Sequence, residues 1–297
     1  METNPQKPRI IVGVDAEPES MVALRWAARE AATTGSALVV VHAFEWLAPT
    51  RIRTDDYYFP LNGDGLDKTA REQYEQGARD LAEVAVGIVA EVDAGIKVTT
   101  KVVEGAPFDV LTEQAKGAAL LVVGSHGRGL AGRMLLGSVS SAIGSNPPCP
   151  VVVVRTHTRA IDTAPTDMPV VVGVDGSASG RAALRWAADH AARNRSRLVV
   201  VHGFRPVNQR TAGTITEQSN RRLSWLTEVV EPVEKEHPGL DVTRTVTEDR
   251  PAQALVEWSV AARLVVVGTG GRSAFTGSVG QALMHHSWSP VAILPEA

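Results

Sequence analysis

The chain has 297 residues, 44% of them hydrophobic and 21% charged, with a formal net charge of −3 and one cysteine. This is a globular composition with room for two domains of the usual 100–200 residues. It excludes a disulfide framework, because Cys149 has no internal partner, and it argues against nucleic acid as a partner, because no dense run of Lys and Arg provides counterion release. Apolar runs fall well short of the roughly 20 residues that span a bilayer, and the polar N-terminus, broken by Pro5 and Pro8, lacks a signal-peptide core. The expectation is a cytoplasmic protein with no membrane partner.

In chain order, residues 9–14 form an apolar run, read as a strand that leads into Asp15 in the sequence G-V-D. Pro18 and Glu19 open an Ala-rich helix through 32, where a proline lacks only an N–H that would be orphaned anyway. A strand comes next, over 37–44. The loop over 45–67 carries Asp55, Asp56, Tyr57 and Tyr58 and reads as a lid, a partner surface or plain solvated chain. A long helix spans 72–92, then a strand 96–103, a short helix from Pro107, a strand ending at Gly124, a helix from about Gly137 and a final strand over 151–154. Strands that are apolar at consecutive positions are covered on both faces, which marks a parallel sheet flanked by helices.

The chain is a duplication. Residues 10–44 and 170–204 align at an offset of 160 with more than half of the positions identical, and LLVVGSHGRG recurs as LVVVGTGGRS. The reading is α/β: two tandem Rossmann-like domains, each a five-stranded parallel sheet, over residues 1–155 and 169–297 with a Thr-, Asp- and Pro-rich linker at 156–168.

In such sheets ligands sit beyond the carboxyl ends of the strands, where the winding reverses. Gly13 and Gly173 permit close approach of backbone to a ligand, or mark tight packing. Asp15 and Asp175 suit a ribose hydroxyl or a metal ion, or cap the following helix. The loop after residue 123 spells G-x2-G-x9-G-S through Gly124, Gly127, Gly137 and Ser138. A loop so poor in side chains lets amides converge on an anion in front of a helix N-terminus, with Arg128 and Arg133 as countercharge. It is neither a Walker A motif nor the dinucleotide fingerprint.

These features together, G-V-D at the first strand end, V-V-V-H at the second, and G-x2-G-x9-G-S before a Pro-led last strand, resemble the universal stress protein family in its tandem two-domain form, with the fold called adenine nucleotide alpha hydrolase-like. The resemblance implies ATP binding, with Mg²⁺ on the phosphates and no dedicated protein metal site. By position it places Asp15 at the ribose, the backbone of Ala43 at the adenine, and Gly124, Ser125, His126, Gly127, Arg128, Gly137, Ser138 and Val139 around the triphosphate. In the second copy Asp175, Gly203, Gly268, Thr269, Gly271, Arg272, Gly277, Ser278 and Val279 take those places. Only five residues separate Gly271 from Gly277, against nine in the first copy, so this loop either still presents its amides or closes over the phosphates. The resemblance also implies that the last strands of the two halves associate as an internal dimer, with a homodimer of chains as a further step.

Other residues take structural readings. His42 and His202 end strands and read as buried, hydrogen-bonded histidines. His285 and His286 are adjacent on a helix and point apart, Trp26 and Trp186 read as core, and Cys149 reads as a buried thiol. No lysine precedes the loop serine and no general base is positioned, so the expectation is a nucleotide-dependent regulatory stress-response module with protein partners yet unidentified, rather than an enzyme. The alternatives are a weak ATP hydrolase or a phosphoryl or nucleotidyl transferase using the same pocket, and a purely structural pairing domain.

Overall fold

The structure is a computed structural model that describes residues 8–45, 53–54, 57–58, 64–125, 136–155, 168–206, 213–269 and 277–296. The first half runs β1 (Arg9–Gly13), α1 (Pro18–Thr34), β2 (Ala37–Phe44), β3 (Arg53–Thr54), β4 (Tyr57–Tyr58), α2 (Asp64–Val92), β5 (Val98–Glu104), α3 (Pro107–Ala115), β6 (Leu120–Gly124), α4 (Ser138–Ser145) and β7 (Val151–Val154). The second runs β8 (Val170–Gly173), α5 (Ala178–Arg193), β9 (Leu198–Gly203), α6 (Ile215–Glu236), β10 (Val242–Thr247), α7 (Pro251–Ser259), β11 (Leu264–Gly268), α8 (Gly277–His286) and β12 (Val291–Leu294).

Local chemistry sets the helix ends. Pro18 opens α1, and Gly35, in the left-handed region at φ 65°, closes it by returning its N–H to Ala31. Ser177 caps α5 by accepting the Gly180 N–H, and α6 begins with a capping box between Thr214 and Glu217. Two boundaries differ from the sequence reading. Helix α2 starts at Asp64 rather than 72, because its first turns are polar and carry no apolar period, and the long loop contains the two-residue antiparallel ladder β3–β4.

All main strands join one ten-stranded sheet in the order β10-β9-β8-β11-β12-β7-β6-β1-β2-β5. Each half is five parallel strands. Pairing turns antiparallel only at the centre, where Val291, Ala292 and Ile293 of β12 face Val153, Val152 and Val151 of β7. Alternate residues point to opposite faces, so Val152 and Val154 join the layer under α1, α2, α5 and α6, while Val151 and Val153 join the layer under α3, α4, α7 and α8. Both layers run through the centre without a break, and the four valines of β7 are fully buried. The free edges are β5 and β10, and they are polar, with Thr99, Thr100 and Lys101 on one and Thr243 and Arg244 on the other.

Side chains lock the centre further. Arg155 donates from Nη1 to the Met284 carbonyl near the end of α8, and Gln281 Nε2 donates to Ser145 Oγ at 2.6 Å. Gly144 has no room for a Cβ, which would meet Met284 Sδ at 2.3 Å. Among the described residues no helix is long and apolar enough to cross a membrane.

Because Ala292 lies 1% exposed in this central ladder, Ala292→Asp buries a carboxylate with no partner. It is expected to cost about 3 kcal/mol or more and to lower the thermal midpoint by roughly 6–12 °C, measured by scanning calorimetry. A shift under about 2 °C would mean that the two halves do not meet through β12 and β7.

Candidate functional site

In the first half the strand order is β7-β6-β1-β2-β5, so the winding reverses between β1 and β6. Val12 pairs with Val122, and the two strands therefore end side by side at Gly13 and Gly124. The segments leaving these two strand ends open into one crevice.

The turn after β1 is held by two side chains. Asp15 Oδ1 accepts the Glu17 N–H at 3.1 Å, and the buried Ser20 hydroxyl donates to the Asp15 carbonyl at 2.7 Å while accepting the Asp15 N–H at 3.1 Å. Asp15 is thus the acceptor of an Asx turn ahead of α1, earlier in the chain than a capping residue would be, since the N-cap is Glu17 with no side-chain bond. One carboxylate oxygen is engaged with the chain.

Gly124 brings β6 against this turn. A Cβ there would sit 3.2 Å from the Glu19 carbonyl carbon and oxygen and 3.3 Å from Ser20 N. Any side chain there would force strand end and helix start apart by a few tenths of an ångström, before any ligand is considered. Gly13 and Gly173 likewise have packing reasons, for their missing Cβ atoms would lie 2.9 Å from Leu111 Cδ1 and 2.6 Å from Leu255 Cδ1. Of the two readings open from sequence, tight packing is the one visible at these positions.

The loop after β6 is pinched at its neck. Ser125 donates its N–H to Val154 O at 2.8 Å, and its carbonyl accepts the Gly137 N–H at 2.8 Å and the Ser140 hydroxyl at 3.1 Å. Residues 126–135, with His126, Gly127 and Arg128, lie outside the described residues. The neck delivers the chain into α4, whose N-cap Gly137 is extended (φ −63°, ψ 149°) and provides no side-chain cap. Ser138 is exposed, and Val139 packs its side chain on the lower core layer, so Val139 has only its amide to offer. Among the described residues no side chain caps this first turn, which carries partial positive charge, the environment an anionic oxygen needs.

The second half repeats the frame with altered detail. Thr269 donates to Leu294 O at 2.9 Å, as Ser125 does to Val154. Gly268 is packed harder than Gly124, with a Cβ position 2.6 Å from the Ser179 carbonyl carbon. Asp175 Oδ1 accepts from both the Ser177 N–H at 2.9 Å and the Ser177 hydroxyl at 2.6 Å. Gly203 lies under the chain after β10, where a Cβ would come within 3.0 Å of Asp249 O; its counterpart Ala43 is half-buried on the lower layer. Gly271 and Arg272 lie outside the described residues; Gly277 and Ser278 open α8, and Val279 packs on the core as Val139 does.

Trp225 of α6 also closes on this half. Its ring reaches within 2.9 Å of where a Gly176 Cβ would be, and stands 4.8 Å from the His202 ring. Nothing in a lone tryptophan of an amphipathic helix signals that role in sequence. Ser20 and Ser140, which hold the turn and the neck in the first half, are equally silent there, since each reads as one serine among several.

The two strand-end histidines do structural work, as their sequence context indicates. His42 and His202 each set Nδ1 against a carbonyl, Val14 O at 2.9 Å and Val174 O at 2.8 Å; a carbonyl only accepts, so Nδ1 carries the proton. Burial holds the His202 imidazolium below the ordinary histidine range; the Val174 carbonyl and Asp175 act upward and Arg222 downward. Its Nε2 is buried without a hydrogen-bond partner among the described residues. Cys149 is buried, and burial pushes its thiol up to about 11. His285 and His286 rings lie 6.0 Å apart and tilted, and no group of three metal-ligating side chains occurs among the described residues.

The Universal stress protein family matches the chain twice, over residues 8–155 and 168–295. A doubled α/β domain of this kind defines the class, and the chain belongs to the universal stress protein family. It is similar to two universal stress proteins of Mycobacterium tuberculosis: Rv2623, 34% identical over 297 residues that cover 97% of this chain and 96% of that one, and Rv2005c, 34% identical over 298 residues with 97% and 98% covered. Among solved structures, a universal stress protein of Archaeoglobus fulgidus DSM 4304 shares the fold at a TM-score of 0.70 and 17% identity, covering 98% of this chain and 100% of that one.

The tight strand ends and the buried histidine each lead to a measurable outcome. Gly268→Ala is expected to cost about 1–3 kcal/mol and more than Gly124→Ala, whereas Gly87→Ala, in the interior of α2 with open space around it, gains about 0.5–1 kcal/mol; urea melts rank the three. Because His202 is buried with a lowered folded value, its contribution is complete above the unfolded value of about 6.5 and is lost as pH falls from there toward the folded one. Stability should therefore fall as the pH drops below about 6.5, and fall less in His202→Asn, which keeps a donor for Val174 O; equal slopes would contradict the assignment.

Proposed function

We propose that the chain is an adenine-nucleotide-binding regulatory module of the universal stress protein family, with ATP as the ligand of the first half. The observation that carries this reading is the pinched loop: Ser125 stitches both ends of the glycine-rich segment together and feeds it into an α4 first turn without a side-chain cap. Amides so presented suit phosphate oxygens. Asp15, at the reversal of winding beside that turn, is the acceptor for a ribose hydroxyl. The backbone at Ala43, ending β2 one strand further, suits the adenine edge, as the family resemblance implies.

The residues that would hold the nucleotide are Asp15, the Ser138 and Val139 amides, and the loop residues between Gly124 and Gly137, the Gly137 amide being engaged by Ser125 O. Mg²⁺ would ride on the phosphates, because the described side chains assemble no ligand set of their own. Bound ATP would supply a polyanion, and the chain's own contribution is to bind and orient it. Asp15 holds its turn through Oδ1, and His42 sets Nδ1 against the Val14 carbonyl. The reading is binding with signalling through loop shape in place of turnover, which needs a positioned general base. The second half, with its shorter loop and with Trp225 on the Gly176 turn, is the weaker nucleotide site.

Ser138→Glu provides a test that leaves the fold intact, since a carboxylate at the first helical position favours the helix but repels phosphate. Calorimetry should give ATP binding to the wild type at one per chain and a Kd at least 10-fold weaker in Ser138→Glu, about 1.4 kcal/mol, with the thermal midpoint unchanged or raised. Equal affinity would remove the phosphates from α4. Steady release of many phosphates per chain would replace the regulatory reading by the hydrolase.

A further inference from the structure

Positions 30 and 190 are the same place in the two copies, 160 residues apart, yet one holds glutamate and the other histidine. The structure puts them face to face. His190 Nδ1 on α5 lies 3.4 Å from Glu30 Oε2 on α1, an ion-pair contact longer than a well-formed hydrogen bond. Both residues are buried, 3% and 6% exposed. Trp26 and Trp186, related by the same offset, lie nearly parallel to the imidazole at 6.3 and 5.2 Å between ring centres. A position that meets its own counterpart sits on the pseudo-two-fold axis.

The charges around Glu30 are one-sided. Burial acts most strongly on its carboxyl, upward, yet the carboxyl is held below the usual range by His190, then Arg193 and Arg263, all from the second half. Arg193 Nη2 stands 3.8 Å from Glu30 Oε1, and Arg263 reaches Asn194, which in turn donates to His190 O at 2.9 Å. The basic residues of the first half nearby, Arg25 and Arg29, are not among the groups that hold it down, and Arg25 is paired with Glu91 at 2.9 Å. On the α5 side, Asp189 is paired with His237 at 3.0 Å. The counterparts of Arg193 and Arg263 in the first half are Thr33 and Ala119, neither a cation. Two first halves docked in the same way would therefore bury Glu30 against Glu30 without those cations.

We propose that Glu30 and His190 form a heterotypic lock on the axis, which makes the first half complementary to the second and disfavours its docking on the first half of a second copy of this chain. Duplication released the axis position from being identical to itself, and a self-complementary contact became a directional one. The lock is independent of any nucleotide.

Four full-length variants test this by thermal melting at pH 7 and pH 5. His190→Glu recreates inside one chain the contact that like halves would make, and should lower the midpoint by about 10 °C at pH 7 and by less at pH 5, where two carboxyls share a proton. Glu30→His should cost less, because it sets no two like carboxylates against each other. The exchange Glu30→His with His190→Glu should recover at least half of the His190→Glu loss. Recovery of nothing would assign both residues to local packing and overturn the lock. If His190→Glu does not fold, Glu30→Gln decides: the lock requires a lower midpoint at pH 7. The lowered carboxyl also adds stability above its unfolded value of about 4.3 that is lost as pH falls further, so the difference from wild type should shrink toward pH 3. A midpoint equal to wild type at both ends of that range would overturn it.

Discussion

The short antiparallel ladder between β7 and β12 is the interaction on which the rest depends. Each half alone would end in a strand of fully apolar residues with a row of unpaired amides and carbonyls, the kind of edge that recruits another chain. Pairing Val151, Val152 and Val153 with Ile293, Ala292 and Val291 removes both edges at once and lets the two core layers run continuously through ten strands. The remaining edges, β5 and β10, are polar and tolerate water. The same seam brings α1 against α5 and α4 against α8, so that Glu30 reaches His190 and Gln281 reaches Ser145.

Within each half, glycines at the strand ends convert this frame into a crevice. Neighbouring atoms crowd the place a Cβ would take, Leu111 at Gly13 and the start of α1 at Gly124. The consequence is that the turn holding Asp15 and the loop leaving β6 approach closely at the point where the winding reverses. The proposed binding would use the same absent side chains that the packing requires, and the two halves have diverged around them. The first keeps a long loop with a stitched neck, and the second has a shorter loop, a more tightly packed Gly268 and Trp225 over its first turn.

Much of the fold is legible in the sequence, because buried parallel strands announce themselves as runs such as IIVGV and LLVVG, and because the duplication lets each half check the other. The start of α2 is not, since the residues after Asp64 are polar and carry no helical period. The β3–β4 ladder is hidden because two residues are too few to show alternation. The partner of β7 is implied only by family resemblance: VVVV says that a strand is covered, but not by what. The site is legible as a glycine pattern and an acid at a strand end. Sequence does not reveal that Asp15 is tied into an Asx turn or that Ser20 and Ser140 hold the crevice in shape. The Glu30–His190 contact is hidden for a different reason: only an axis relating the copies makes residues 160 apart in sequence neighbours.

Amide hydrogen exchange measured by NMR tests the seam most directly. If the sheet is continuous, the amides of β7 and β12 exchange at the slow rate of β1, β6, β8 and β11, through opening of the whole sheet, while those of β5 and β10 exchange faster. Fast exchange confined to β7 and β12, with the flanking strands of each half still protected, would show that the halves are separate bodies and would contradict a seam shared by both.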